Sequence, residues 1–287
     1  MDDPNTILTI RGADERAARL LSLSHNRDRY LAASYAVDSA TELTSREATP
    51  AVAEEEADGQ DCSSRIRLTF DKPPKNKQEF VFGSDEKFCD VRLGSRRSGI
   101  SGRHFCITFD DYGRTILKDL SRSGTYVSYD GQGQNERKCK FTWIFFPNFE
   151  IKVKLKTNRY ENLIFEIKLG THETCKAEYQ ANVMTFLEES RNTIFPLGLL
   201  DIRSQETTAP PSQATSRALS PRQRPFYLLR RELGSGAFGM VYQAVDVSTA
   251  EIYAAKGFNE ASGYEKEVEI MCRISHVNAT HLTVYKT

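Results

Sequence analysis

From Arg65 onward, apolar and polar positions alternate with a period of two. Ile66, Leu68 and Phe70 stand between polar neighbours, and Phe105, Ile107 and Phe109 repeat the spacing. Phe149, Ile151, Val153 and Leu155 alternate with Glu150, Lys152 and Lys154, and Leu163, Phe165, Ile167 and Leu169 do so once more. A strand sends successive side chains to opposite faces, so this pattern predicts strands with one face buried. Turn signals at Asp111-Tyr112-Gly113, Asp130-Gly131 and Asn158 separate them. The expectation is a mainly β chain, with an antiparallel sandwich over residues 65–170. Between Glu173 and Arg191 the spacing turns helical, with Val183, Phe186 and Leu187 on one face, which predicts a helical extension over 171–200. Residues 201–225 carry Pro210-Pro211 among many Ser, Thr and Gln, the composition of a flexible linker. Strands then resume at Tyr227–Leu233, Gly239–Val247 and Glu251–Lys256, followed by an amphipathic helix around Tyr264–Ile274. This predicts a second, smaller antiparallel sheet with one helix over 226–287.

Residues 1–64 break the pattern. They are rich in Ala, Ser, Thr and acids and offer one short helical stretch between Glu15 and Tyr35, carrying Leu20, Leu21, Leu23, Tyr30 and Leu31. The expectation is a disordered acidic tail, because so little apolar surface cannot offset chain entropy. Over the 287 residues, 39 basic and 39 acidic side chains balance, yet residues 1–64 hold 13 acids against 6 arginines. The remainder is therefore mildly basic, which suits a partner with anionic groups without naming one.

Composition narrows the setting. The 6 cysteines form no C-x-x-C pair and have no paired histidines, so neither a zinc site nor a disulfide framework is implied and no metal ligands are assigned. Met1-Asp2-Asp3-Pro4 lacks the basic start of a secretory signal, and Trp143-Ile144-Phe145-Phe146 is too short to cross a bilayer. A nuclear or cytoplasmic protein follows, with neither membrane nor nucleic acid among its expected partners.

Two clusters carry candidate chemistry. In Leu233-Gly234-Ser235-Gly236-Ala237-Phe238-Gly239-Met240-Val241, glycines let a backbone approach phosphates closely. Fifteen residues beyond Val241, Lys256 closes the run Tyr253-Ala254-Ala255-Lys256. This order resembles the opening of a protein kinase domain. The resemblance implies that Leu233, Val241 and Ala254 line an adenine pocket. It implies further that Gly234, Ser235, Gly236, Ala237, Phe238 and Gly239 cover the phosphates of ATP, and that Lys256 holds the α- and β-phosphates. Glu267, in Glu267-Val268-Glu269-Ile270-Met271, corresponds to the helix glutamate that pairs with this lysine, although the gap between the two is short for the family. No His-Arg-Asp, Asp-Phe-Gly or Ala-Pro-Glu triplet occurs, so by this resemblance the chain lacks the catalytic and magnesium-binding loops and is inactive alone.

The second cluster is Phe82-Gly83-Ser84, Cys89-Asp90-Val91, Ile100-Ser101-Gly102-Arg103-His104-Phe105 and Lys118-Asp119-Leu120-Ser121-Arg122-Ser123-Gly124-Thr125. In that order and with those gaps it resembles a forkhead-associated (FHA) domain, a sandwich whose loops read phosphothreonine. The resemblance implies phosphopeptide contacts from Ser84, Ser101, Arg103, Arg122 and Ser123, with His104 packing the loops. Ser84 and Ser123 depart from the arginine and asparagine usual at those places. Two functions follow as expectations. One is an FHA-containing serine/threonine kinase, present here without its catalytic loops and open to a kinase C-lobe or chaperones. The other is a non-catalytic phosphopeptide adaptor with a vestigial kinase lobe.

Overall fold

The computed structural model describes residues 2–32, 64–158, 162–194, 224–237, 239–258 and 261–273. The chain divides into two compact units. In the first, strands β1 (Thr6–Gly12), β2 (Tyr30–Leu31), β3 (Arg65–Thr69), β8 (Thr125–Tyr129), β9 (Arg137–Lys138), β11 (Ile151–Leu155) and β12 (Leu163–Leu169) make a seven-stranded sheet ordered β2-β3-β1-β12-β11-β8-β9. A second sheet runs β7-β6-β4-β5, from β4 (Phe80–Gly83), β5 (Val91–Arg92), β6 (Phe105–Phe109) and β7 (Thr115–Asp119), while β10 (Thr142–Ile144) is grouped with the second unit. The period-two residues supply the core. Leu8, Ile66, Val153, Phe165 and Val127 are buried from one sheet, and Phe80, Phe82, Phe105, Ile107 and Leu117 from the other. Phe82 and Phe105 stack at 4.6 Å. Helix α2 (Lys176–Ile194) lays Phe186 parallel to Phe80 at 6.1 Å and edge-on to Phe109 at 5.4 Å, so it extends the aromatic core.

The N-terminal expectation is corrected. Residues 2–32 are folded, and β1 is an interior strand of the larger sheet, bonded to β3 on one side and β12 on the other. The sandwich therefore begins before residue 65. The physical reason is local: Ile7, Leu8 and Ile10 are a compact apolar strand, fully buried, whose signal is diluted when composition is averaged over 64 mostly polar positions. After it, α1 (Glu15–Leu21) starts at Asp14, whose carboxylate accepts from the Ala17 N–H at 2.8 Å, and buries Ala17 and Leu21. Asn26, 1% exposed, gives its side-chain amide to the Leu20, Leu21 and Arg92 carbonyls and accepts from the Arg92 N–H at 2.7 Å. It thus pairs with edge strand β5 as a neighbouring strand would and shields that edge. The Arg29 guanidinium lies 5.0 Å above the Phe80 ring, donates to the Lys72 and Pro73 carbonyls, and stands 3.9 Å from buried Asp90. The disorder expected for 33–63 and the linker expected at 201–223 lie outside the described residues.

The second unit contains β13 (Tyr227–Gly236), β14 (Gly239–Asp246) and β15 (Ile252–Phe258), antiparallel in that order, followed by α3 (Ala261–Arg273). The glycine-rich segment forms the tip of the β13–β14 hairpin. Gly239 has φ 143°, and a Cβ there would lie 2.0 Å from the Gly257 carbonyl oxygen, so this glycine is required by the fold itself.

Candidate functional site

Strand register brings the sandwich loops together. Phe82 pairs with Phe105 and Phe105 with Asp119, so β4, β6 and β7 finish level and their loops meet at one end. The 84–104 loop is pinned to itself: the Ser84 N–H donates to the Ser101 carbonyl and the Asp85 N–H to the Gly102 carbonyl, both at 3.0 Å. The backbones approach so closely that a Cβ on Gly83 would sit 2.2 Å from the Gly102 oxygen. The 120–124 loop is built on buried Asp119. Its carboxylate accepts from Ser121 Oγ at 2.8 Å, Thr125 Oγ1 at 2.6 Å and the Lys140 N–H at 2.8 Å, while Ser121 Oγ accepts from the Gly124 N–H. The two loops touch where the Arg122 N–H points at Ser101 Oγ, 3.4 Å away.

Between them lies an open groove of about 620 Å³ lined by Asp85, Arg96, Ser101, Arg103, Arg122 and Ser123, with apolar Phe88 and Leu120 at its sides. Its cations differ in availability. Arg96 pairs with Asp85 at 2.5 Å and Arg103 with Glu79 at 2.9 Å, whereas exposed Arg122 has no carboxylate partner among the described residues. Ser101 and Arg122, both lining the groove, thus contribute a hydroxyl and a cation to it, the two groups a phosphate dianion needs. Ser84, expected among the peptide contacts, does not line the groove. It is 6% exposed and donates its hydroxyl to the Ile100 carbonyl at 2.9 Å, so this short side chain braces the loop where a long one would reach the groove. Ser123 lines the groove with its Oγ buried and without a hydrogen-bond partner among the described residues.

Two contributors were not picked out from sequence. Asp119 organises the second loop, and the acid followed by Ser at 121 and Thr at 125 is the signal that reveals it. Asp85 holds Arg96, and its carboxyl is kept below the usual range by the Lys87 N–H and then by Arg96. His104 is fully buried; its Nδ1 accepts from the Ser101 N–H at 3.2 Å, and burial pushes its pKa down from 6.5 against the pull of Asp119. As pH falls through about 6.5 the unfolded chain takes up a proton that the folded one refuses, so stability is lost in that direction. We expect the thermal midpoint to fall between pH 7.5 and 5.5, roughly spanning the ordinary histidine pKa. The slope should flatten in His104→Gln; an unchanged slope would assign it to other groups.

In the second unit, the registers Gly234↔Val241 and Val241↔Lys256 align three strands, and Ala254 lies opposite Gln243, two residues from Val241. Gly234, Val241, Ala254 and Lys256 thus share one face. The Lys256 ammonium is 2.8 and 2.5 Å from the two oxygens of Glu267 on α3, despite the short gap in sequence. Leu233 is 51% exposed, and Ser235 and Ala237 are also exposed, while Phe238 lies outside the described residues. A Cβ on Gly234 or Gly236 would meet nothing within 4 Å. Among the described residues no His, Cys, Asp and Glu group has the arrangement of a metal site.

Against known families, residues 80–143, spanning both loops of the groove, match the model of the FHA domain. The chain carries an FHA domain. It is also similar to the serine/threonine-protein kinase RAD53 of Saccharomyces cerevisiae, 21% identical over 228 residues, which are 77% of this chain and 26% of that protein. The chain thus spans about a quarter of the relative's length. Two solved structures overlap it in part. The N-terminal FHA domain of S. cerevisiae Rad53p, in complex with a phosphothreonine peptide, is 21% identical and covers 36% of this chain and 73% of its own, with a TM-score of 0.28. Rad53 1–466 in complex with AMP-PNP is 17% identical and covers 72% of this chain and 42% of its own, with a TM-score of 0.34. Overlaps of that size carry no geometric argument, and the FHA assignment stands on the matched residues.

Proposed function

We propose that the FHA domain docks phosphothreonine peptides in the groove between the 84–104 and 120–124 loops. The observation that carries this reading is that Ser101 and an Arg122 with no acidic partner among the described residues line one groove, on two loops joined through the Arg122 backbone N–H and Ser101 Oγ and braced by buried hydrogen bonds. A dianion entering there meets a fixed hydroxyl and a cation that need not abandon a carboxylate. A phosphothreonine peptide should bind more tightly than its unphosphorylated counterpart in a calorimetric titration. Equal affinities for the two would sink the proposal.

We further propose that the second unit binds ATP as the small lobe of a serine/threonine kinase. The supporting observation is that among the described residues no atom lies within 4 Å of a Cβ placed on Gly234 or Gly236, so the backbone there is open to a ligand's approach. Lys256, fixed by Glu267 on the face shared with Gly234, Val241 and Ala254, is the group to meet phosphate oxygens. Bound ATP would supply a transferable phosphoryl group; this chain's residues bind and orient it. Transfer itself, with its magnesium ligands and protein substrates, is proposed for a whole kinase only. An ATP-dependent rise in the thermal midpoint should disappear in Lys256→Ala. A rise that survives would place the nucleotide elsewhere.

A further inference from the structure

The seven-stranded sheet buries one face and turns the other to solvent, and the solvent face is basic. Register fixes its composition. Thr9 stands between Arg67 and Lys168; Arg11 is opposite Glu166, Glu166 opposite Lys152, and Lys152 opposite Ser128. Lys154 lies between Ile164 and Tyr126, and Tyr126 beside Arg137. Alternation puts Arg65 on the same side as Arg67. Seven cations thus share a face whose one carboxylate, Glu166, is bonded to Arg11 and lies 3.7 Å from Lys152. At the margins Glu150 pairs with Lys152 at 2.9 Å and Asp3 approaches Arg67 at 3.9 Å. Among the described residues, these seven cations stand against three carboxylates. Arg11 and Arg67 remain 47% and 44% exposed, and Lys168 is exposed as well.

We infer that this face docks an acidic polypeptide segment of a partner protein, laid extended along β11, between β12 and β8. Side chains on one side of an extended peptide repeat every 6.4–6.8 Å or so, the spacing that separates Lys152 from Lys154 along β11. Such a segment can set its acids against the lysines and a neutral residue against Glu166 or Ile164. A nucleic acid suits the face less well. Single strands need aromatic stacking platforms, and the one ring here, Tyr126, is covered by Lys154 at 4.4 Å. A continuous phosphate chain would also have to cross Glu166. This surface lies outside the groove between the loops and does not depend on its chemistry.

The chain itself carries a competing occupant, since residues 33–63 hold eight acids and one arginine. The test is fluorescence anisotropy on the full chain at low salt, with a labelled peptide alternating Glu and Ser, its Gln-for-Glu counterpart, and single-stranded DNA of equal length. The Glu peptide should bind, its Gln counterpart should not, and affinity should fall steeply with added salt. Lys154→Glu with Lys168→Glu should weaken binding roughly tenfold or more. The thermal midpoint should stay unchanged, and Arg67→Gln should give a smaller loss. Three results would overturn the inference: no discrimination between the peptides, tighter binding of the DNA, or full affinity in the double variant. A further arm replaces Glu54, Glu55, Glu56 and Asp58 by their amides. Peptide binding seen only in that variant would mean that the chain's own acids occupy the face, which also overturns it.

Discussion

A chain that begins at Arg65 is expected to lose cooperative folding of the sandwich. Removing residues 2–32 takes out edge strand β2 and also β1, which lies between β3 and β12, and so breaks the larger sheet in its interior. Both flanking strands are left with open hydrogen-bonding edges. The core loses Ile7, Leu8, Ile10 and Leu21, each at most 2% exposed. At about 1.5–3 kcal/mol per buried aliphatic side chain, these four alone contribute on the order of 6–12 kcal/mol. That is comparable with the whole stability of a typical domain, about 5–15 kcal/mol. The loss of Asn26 also strips the Arg92 backbone of its partners, and the loss of Arg29 leaves buried Asp90 without its nearest cation. Thermal unfolding followed by circular dichroism and by the fluorescence of Trp143 should show a sharp transition for the intact chain and none for the truncated one. A truncated chain that melts cooperatively within a few degrees of the intact one would mean that β1 is an accessory.

What could be read from the sequence was whatever rests on local repetition. The period-two segments became β3, β6, β11 and β12, the Val183-Phe186-Leu187 face became the buried side of α2, and the glycine-rich segment became a hairpin tip. What escaped depends on contacts between distant residues. Strand β1 has an ordinary strand pattern, but local alternation cannot show its place inside the sheet. That place is set by remote partners: Leu8 meets both Leu68 and Leu169. Ser84 falls where a family resemblance suggests a peptide contact, yet a short hydroxyl two bonds from the backbone satisfies the nearest carbonyl, and Ile100 supplies one. The gap between Lys256 and Glu267 is short for the family, but α3 begins only three residues after β15 ends, at Ala261, and its second turn brings the carboxylate to the ammonium.

The groove yields a ranking of its cations that composition alone does not. Arg122→Ala should cost roughly ten- to a hundredfold in phosphothreonine-peptide affinity, the loss of one charge-assisted contact of about 1.5–3 kcal/mol. Ser101→Ala should cost a comparable factor, because it removes the hydroxyl beside the Arg122 N–H. Arg103→Ala should cost less, since that guanidinium is already engaged by Glu79 at 2.9 Å and must give up part of the pair to reach a ligand. Arg96 is restrained in the same way by Asp85. Neither Arg122 nor Ser101 anchors the core, so both variants should keep the parent's thermal midpoint while losing affinity, which separates a binding defect from a folding one. Titration of the same phosphopeptide against the three variants decides the matter. If Arg103→Ala proves the most damaging, the Glu79 pair opens on binding and the phosphate sits on that side of the groove. If Arg122→Ala binds like the parent, the charge that balances the phosphate comes from another residue and the Ser101–Arg122 pairing is not the reading head.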